Sequence, residues 1–218
     1  MKIFADTSKL EDIREFSSWG VIDGVTTNPK IIASDGNELE PTIKEICKLV
    51  SGPVSVEVTT NDYDAMLKEA QHYSSWAKNI VVKVPIIPTG LKAIKALSSK
   101  GIKTNATCAM SYSQAVLAAK AGATYVSLFY GRIGDLGFDP YIVIKDTADT
   151  FRLWGCKSEI ISGSMRSLLD VNRSLLAGAH IVTVPPKFLR QMAQNPQTEK
   201  TVEEFLEAWK GIKTKKAP

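Results

Sequence analysis

The segment Ile80-Val81-Val82-Lys83-Val84-Pro85 is an apolar, largely β-branched run that contains one lysine. Such runs are typical of strands that are buried on both faces, as in parallel sheets covered by helices. A lysine in this setting is unusual, because a charged side chain without a partner is rarely buried. Low dielectric disfavours the ammonium form, and a neutral amine can attack a carbonyl carbon to give a Schiff base. The segment alone equally allows a strand-end lysine whose ammonium group reaches water or pairs with an acid.

Strand-like and helical segments alternate along the whole chain. The predicted strands are residues 2–6, 24–28, 54–58, 80–84, 102–107, 125–129, 159–163 and 180–184. The predicted helices are residues 10–19, 39–50, 62–77, 90–100, 111–121, 140–154, 165–177, 186–194 and 198–213. This alternation, without a Pro/Gly/Ser-rich linker, predicts one α/β domain over residues 1–218: a (β/α)8 TIM barrel with an extra C-terminal helix. A doubly wound open sheet is the alternative, although no Gly-rich dinucleotide loop follows the first strand.

The composition is that of an ordinary globular protein. Of 218 residues, 44% are hydrophobic and 23% are charged, and the net charge is +4. No apolar run reaches membrane-spanning length, so we expect no membrane association. The basic residues 213–216 are interpreted as a solvated terminus, and we expect no nucleic-acid partner. Three widely spaced cysteines and two isolated histidines have no metal-ligand spacing, which predicts no metal site, no cofactor and a cytoplasmic location.

The last predicted helix has an apolar stripe formed by Val202, Phe205, Leu206 and Trp209. Their spacing is helical, so the four side chains share one face. Two interpretations remain open: the stripe packs on its own barrel, or it docks on a neighbouring subunit.

Polar or ionisable side chains follow the apolar part of seven predicted strands. In a barrel of this kind the active site lies at the carboxyl ends of the strands. Alone, each of these residues is more typical of a helix cap, a turn or a surface ion pair. Together they predict a functional site, since burying so many charges without mutual pairing would be costly. Strand eight offers no obvious candidate, and the other seven contribute Asp6, Asn28, Glu57, Lys83, Asn105, Thr107, Ser127, Phe129, Arg132, Ser164 and Arg166.

These residue types fit one chemistry. A Schiff-base enzyme needs an amine, carboxylates that move protons and neutral polar groups that hold substrate hydroxyls. Two arginines and a serine after strands six and seven suit a phosphate group, which favours guanidinium forks and backbone N–H groups at a helix start. An iminium group rather than a metal ion would then accept the electrons of the breaking bond.

The same strand ends carry motifs that resemble the transaldolase family. They are Phe4-Ala5-Asp6-Thr7, Thr26-Thr27-Asn28-Pro29, Val56-Glu57-Val58, Val82-Lys83-Val84-Pro85, Thr104-Asn105-Ala106-Thr107 and Ser127-Leu128-Phe129-Tyr130-Gly131-Arg132-Ile133. The resemblance covers essentially the whole chain. The length of the chain is similar to that of the small subfamily, which includes microbial transaldolases and fructose-6-phosphate aldolases. The fold it implies is the barrel predicted above.

The resemblance implies a role for each candidate. Lys83 would form the Schiff base with C2 of a ketose phosphate, and Asp6 would take the C4 hydroxyl proton as the C3–C4 bond breaks. Glu57 would move protons through a water held with Thr107. The dihydroxyacetone hydroxyls would contact Asn28, Asn105 and Ser127, and the phosphate would contact Arg132, Ser164 and Arg166. The partners implied are phosphorylated sugars and, from family members of this size, further copies of the chain in a pentamer or decamer.

Phe129 separates two activities within the family. Aldolase members have a tyrosine there, whose hydroxyl can order a water and protonate the bound carbanion, which releases free dihydroxyacetone. Phenylalanine cannot donate that proton, so the bound unit would persist until an aldose phosphate arrives. The residue therefore favours transaldolase in the non-oxidative pentose phosphate pathway, with fructose-6-phosphate aldolase as the alternative.

Two interpretations from other classes are weaker. A deoxyribose-phosphate aldolase would need a second lysine at the rim, but Lys103 begins its predicted strand at the opposite end. A non-catalytic phosphosugar-binding barrel would have no need for Lys83 together with both acids.

Overall fold

The computed structural model describes residues 1–34, 36 and 38–212. These residues form eight parallel strands in one closed barrel, in which each strand pairs with its neighbours in sequence and β8 pairs with β1. The strands are β1 Lys2–Asp6, β2 Gly24–Thr26, β3 Val54–Glu57, β4 Ile80–Pro85, β5 Thr104–Ala109, β6 Tyr125–Phe129, β7 Glu159–Gly163 and β8 Ile181–Val184. The predicted TIM barrel is confirmed, and the open sheet is wrong.

The described residues also form helices between and after the strands, and most of these helices cover the outside of the barrel. They are α1 Leu10–Trp19, α2 Pro29–Ser34, α3 Leu39–Leu49, α4 Tyr63–Ser74, α5 Pro88–Ser99, α6 Tyr112–Ala121, α7 Tyr130–Asp135, α8 Pro140–Leu153, α9 Leu168–Leu176, α10 Pro186–Ala193 and α11 Pro196–Lys210. The sequence did not predict α2 or α7, because six residues are too few to show a helical period. The predicted strand over residues 102–107 is displaced: β5 starts at Thr104 and continues to Ala109, past a register shift against β6.

The interior of the barrel holds a small apolar cluster beneath the strand ends. Its members are the fully or almost fully buried side chains of Phe4, Val81, Tyr125, Ile161 and Ile181. Side chains two residues apart in a strand share a face, so the next inward positions on these strands lie above the cluster, towards the carboxyl ends. The cluster is therefore the floor of the region where sequence analysis places the site, and Lys83 follows Val81 on the inner face of β4.

The last two helices differ in how they contact the rest of the chain. Arg190 of α10 donates hydrogen bonds to Asp12 and Glu15 of α1, which joins the last barrel helix to the first. In contrast, no residue of α11 is buried against the described part of the chain. Phe205 is 70% exposed and Trp209 is 61% exposed. The stripe therefore does not pack on its own barrel; residue 213, the predicted helix end, and the basic residues 213–216 lie outside the described residues.

Among the described residues, no helix combines the length and apolar character needed to span a bilayer.

Candidate active site

Lys83 and Glu57 form a buried ion pair at the carboxyl ends of adjacent strands. They are register partners in β3 and β4, and 3.0 Å separates Lys83 Nζ from Glu57 Oε2. Their side chains are only 6% and 16% exposed. Lys83 Nζ also donates to the carbonyl oxygen of Thr27 at 3.0 Å. The ammonium group of Lys83 is therefore paired with an acid, which offsets the cost of burying its charge.

Asp6 lies at the end of β1 and lines the same cavity as this pair. Burial raises the pKa of its carboxyl above the usual range, while the hydrogen bond from Thr26 and the charge of Lys83 oppose that rise. The bond joins Thr26 Oγ1 to Asp6 Oδ1 at 2.7 Å. A carboxyl whose pKa is raised towards neutrality can both take and return a proton during a reaction.

Three polar side chains from β3, β5 and β6 form a chain across the barrel interior. Ser127 Oγ donates to Asn105 Oδ1 at 2.8 Å, and Asn105 Nδ2 donates to Ser55 Oγ at 3.3 Å. All three residues are buried. These contacts fix the orientation of the Asn105 amide, and they show a role for Ser55 that the sequence analysis missed.

The end of β5 brings two further residues close to the site. Thr107 is completely buried, and its Oγ1 has no hydrogen-bond partner among the residues that the structure describes. Cys108 has a φ of 60° at the register shift, a left-handed conformation that is uncommon outside glycine. Burial, followed by the negative charge of Glu57, raises the pKa of the Cys108 thiol. That thiol is therefore protonated near neutral pH and is not an activated nucleophile.

The cavity above the apolar floor has a volume of about 510 Å³, within the range of small-molecule sites. Eight of the eleven residues predicted from sequence line it: Asp6, Asn28, Glu57, Lys83, Ser127, Phe129, Arg132 and Ser164. Asn105 and Thr107 are buried in the wall beside it. The structure thus places ten of the eleven predicted residues in the lining or the wall of this cavity, and the exception is Arg166.

Arg166 does not line the cavity. Its guanidinium group makes a bidentate ion pair with the carboxylate of Asp135 at the end of α7. Arg132 and Ser164 do line the cavity, and the N–H of Gly131 donates to the carbonyl oxygen of Ser164 at 3.2 Å, which holds their two segments together. A Cβ atom at Gly131 would lie 2.5 Å from that oxygen and 2.7 Å from Arg166 Nε, so only glycine fits there.

The cavity also contains residues that the sequence analysis did not predict. Thr26, Lys30, Cys108 and Thr183 all line it. Thr183 supplies the inward polar group of β8, so the expectation that strand eight contributes none is wrong. Period-two alternation is the signal that would have found both threonines, since each follows an apolar strand residue and points inward. Lys30 belongs to α2, which the sequence did not predict.

Asn28 has a structural contact besides its place in the cavity wall. Its Oδ1 accepts a hydrogen bond from the N–H of Ile31 at 3.0 Å, which caps the start of α2. With the oxygen occupied, the amide Nδ2 is the group of Asn28 that remains for a ligand.

The sequence matches the family described as Transaldolase/Fructose-6-phosphate aldolase over residues 3–217. A probable transaldolase of Symbiobacterium thermophilum is 45% identical over 213 residues, which cover 98% of this chain and 99% of that protein. Probable transaldolase 2 of Listeria monocytogenes is also 45% identical, over 99% of both chains.

The solved structure of an inosine 5'-monophosphate dehydrogenase from Legionella pneumophila has a similar fold. Its TM-score is 0.57 at 16% identity, and the match covers 85% of this chain and 58% of the dehydrogenase. At this identity the likeness extends to the barrel alone. The family match and the two bacterial relatives, in contrast, cover nearly the whole chain. The chain belongs to the transaldolase/fructose-6-phosphate aldolase family.

Proposed function

We propose that this chain is a transaldolase that transfers a dihydroxyacetone unit from a ketose phosphate to an aldose phosphate through a Schiff base on Lys83. The observation that carries the proposal is the buried pair of Lys83 and Glu57, with Asp6 in the same cavity. An amine with one acid at 3.0 Å and a second acid nearby has the groups required for imine formation and for aldol cleavage.

The first step forms the Schiff base. Glu57 takes a proton from the Lys83 ammonium group, and the neutral amine attacks C2 of the ketose. Glu57 then returns that proton to the C2 oxygen and moves a second proton from the nitrogen to the same oxygen, which leaves as water and gives the iminium ion. Because Thr107 Oγ1 has no partner in the described structure, it is available to hold a water that carries these protons.

The second step breaks the C3–C4 bond. The Asp6 carboxylate takes the C4 hydroxyl proton, the aldose phosphate leaves, and the electrons of the broken bond move to the iminium group, which gives an enamine. An incoming aldose phosphate is attacked by the enamine carbon, and Asp6 returns its proton to the new alkoxide. Hydrolysis of the Schiff base through Glu57 then releases the new ketose.

The remaining residues are proposed to hold the substrate. Asn28, Asn105 and Ser127 would contact the dihydroxyacetone hydroxyls, and Arg132 and Ser164 would bind the phosphate. Arg166 would reach the phosphate only by releasing or sharing its contact with Asp135, so we assign Arg132 the larger share of phosphate binding.

The test is the release of glyceraldehyde 3-phosphate from fructose 6-phosphate with and without erythrose 4-phosphate. If the enzyme transfers the dihydroxyacetone unit, glyceraldehyde 3-phosphate is released rapidly when erythrose 4-phosphate is present and slowly when it is absent. Rapid release without an acceptor would show fructose-6-phosphate aldolase activity instead, and no release in either case would contradict both activities.

Phe129 lines the cavity and provides a prediction about reaction type. In Phe129→Tyr, a hydroxyl enters the site, and we expect acceptor-independent release of dihydroxyacetone to rise about tenfold or more, because a proton donor now reaches the carbanion. An enzymatic assay for free dihydroxyacetone measures this release. Phe129→Leu is the matched control without a hydroxyl; an equal rise in both variants would show that the ring, not the missing proton donor, limits release.

We also propose that the chain forms a homo-oligomer, a pentamer or decamer, in which the stripe of α11 docks on a neighbouring subunit. An exposed face with Phe205, Leu206 and Trp209 on a helix that touches little of its own barrel supports this proposal. The location proposed for this assembly is the cytoplasm.

The oligomer proposal predicts the behaviour of a charged substitution in α11. Trp209→Glu should lower the mass measured by light scattering to that of smaller species, while circular dichroism stays unchanged because α11 supports no buried residue of its own. Glu203→Gln, at an exposed position of the same helix, is the control and should leave the mass unchanged. An unchanged mass for Trp209→Glu would count against the docking role.

A further inference from the structure

Asp6 is the end of a hydrogen-bonded chain that crosses three neighbouring strands. Thr26 Oγ1 of β2 donates to Asp6 Oδ1 at 2.7 Å, and 2.5 Å separates Thr26 Oγ1 from Thr183 Oγ1 of β8. Both threonines are buried, with 3% and 5% of their surfaces exposed. Because β1 lies between β2 and β8, the two hydroxyls meet above β1, beside the carboxyl group that it carries.

The direction of these hydrogen bonds follows from the number of protons. An ionised carboxylate can only accept, so the single hydroxyl proton of Thr26 is directed to Asp6. The oxygen of Thr26 can then only accept from its other neighbour. Thr183 must therefore donate to Thr26 whenever Asp6 is ionised, which is the state required of a base.

We propose that Thr183 is a positioning residue that acts through Thr26 to orient the Asp6 carboxylate and to stabilise its ionised form. Hydrogen bonds in series polarise one another, so a donor to Thr26 makes the hydroxyl of Thr26 a stronger donor to Asp6. This inference rests on the proposed function, since it deepens the role of Asp6 as the base of the cleavage step.

Few other charges act on Asp6. Lys83 and Glu57 share its cavity but are paired with each other, and Lys30 and Arg132 lie at the mouth. Cys108 is the remaining titratable group of the cavity lining. The strands that flank β1 contribute none, since β2 and β8 have the sequences Gly-Val-Thr and Ile-Val-Thr-Val. The hydrogen bonds from Thr183 to Thr26 and from Thr26 to Asp6 stabilise the ionised form of Asp6 without adding a charge. A mutation of Thr183 can therefore weaken this stabilisation and leave the charged groups of the cavity unchanged.

The hydroxyl can be removed without changing the shape of the side chain. Thr183→Val keeps both branches, including the methyl group that packs near Gly163, and deletes the donor. Thr183→Ser deletes that methyl group and keeps the donor. The two variants separate hydrogen bonding from packing.

We expect kcat for dihydroxyacetone transfer to fall roughly five- to tenfold in Thr183→Val, the size typical of one lost hydrogen bond to a network that serves a charge. The bond from Thr26 opposes the upward pKa shift of Asp6, so weakening that bond raises the pKa further. The acidic limb of the pH profile of kcat should then move to higher pH. Thr183→Ser should keep the wild-type limb and most of kcat.

Borohydride trapping and an NMR titration, together with the pH profile, decide the proposal. Borohydride reduction with fructose 6-phosphate should trap Thr183→Val at Lys83 as fully as the wild type, since imine formation does not need Asp6. A ¹³C NMR titration of labelled aspartate, with Asp6→Asn to assign the signal, should show a higher pKa for Asp6 in Thr183→Val even without substrate. A wild-type pKa and pH profile in Thr183→Val, or equal losses in both variants, would overturn the role of Thr183. A wild type that forms no adduct would instead overturn the proposed function, and the titration would still decide the contact.

Discussion

Lys83→Met is expected to form no borohydride-stable adduct with fructose 6-phosphate and to lose at least about a thousandfold in turnover. Methionine has nearly the same length as lysine but has no amine to attack C2. Mass mapping of peptides from the wild type should place the reduced sugar on Lys83 and on no other residue. An adduct elsewhere in the wild type, or one that persists in Lys83→Met, would contradict the Schiff-base assignment.

Two controls separate chemistry from folding in this experiment. Lys83→Met leaves Glu57 buried without its partner, and we expect a loss of about 3 kcal/mol in the free energy of unfolding. Adding Glu57→Gln should recover much of that stability but not the adduct. Lys30→Met removes a second lysine from the cavity lining and should still be trapped at Lys83.

Asp6→Asn should be trapped by borohydride as readily as the wild type yet turn over about a hundredfold to ten-thousandfold more slowly. Asparagine still accepts the hydrogen bond from Thr26 but cannot take the C4 hydroxyl proton. Because the raised pKa of Asp6 sets the pH below which the base is protonated, wild-type kcat should fall as pH drops through that pKa. This acidic limb should be absent from the residual activity of Asp6→Asn.

Asp6→Asn, which should lower turnover, should raise the stability of the folded protein. An aspartate whose pKa is raised by burial destabilises the folded protein when it ionises. The cost is full above the folded pKa, shrinks as pH falls below that value and is gone below the unfolded pKa. Asp6→Asn should therefore raise the midpoint of thermal unfolding at neutral pH. Asp149→Asn, which breaks surface ion pairs on α8, is the control that should leave turnover unchanged. Wild-type turnover in Asp6→Asn would remove Asp6 from the mechanism.

The fold could be predicted because short, largely apolar strands alternate with helical segments along the whole chain, and the first half of β4 is apolar on both faces. A residue such as Val82 packs under the helices while Val81 fills the barrel, and a run that is apolar on both faces is typical only of a covered parallel sheet. The short helices α2 and α7 were not predictable in the same way, since six residues provide less than two turns of pattern. Their positions depend on contacts made elsewhere, such as the N–H of Ile31 with Asn28.

The candidate site was predictable where a charged side chain occurs in an otherwise apolar strand, as at Lys83 and Glu57. It was not predictable where the residue type is common in strands: Thr26 and Thr183 have the composition of ordinary β-structure, and their hydroxyls meet only because the barrel closes. Arg166 is a residue for which the sequence suggested a role but did not predict the contact that the structure shows. Its position after β7 suits phosphate binding, but its contact with Asp135 belongs to a helix that the sequence did not predict.

The contact between Thr26 and Thr183 joins residues 157 positions apart, across the seam where the last strand meets the first. Contacts of such long range form late in folding, because the entropy of closing the intervening chain must be overcome before they contribute. A barrel in which strands one to seven have folded but the eighth has not docked would hold the pair of Lys83 and Glu57 while Asp6, without the Thr183 hydroxyl behind Thr26, is a weaker base. Such an intermediate would form the Schiff base with a ketose phosphate but would cleave the C3–C4 bond more slowly. Turnover would then report completion of the barrel, whereas trapping at Lys83 would report only its middle strands.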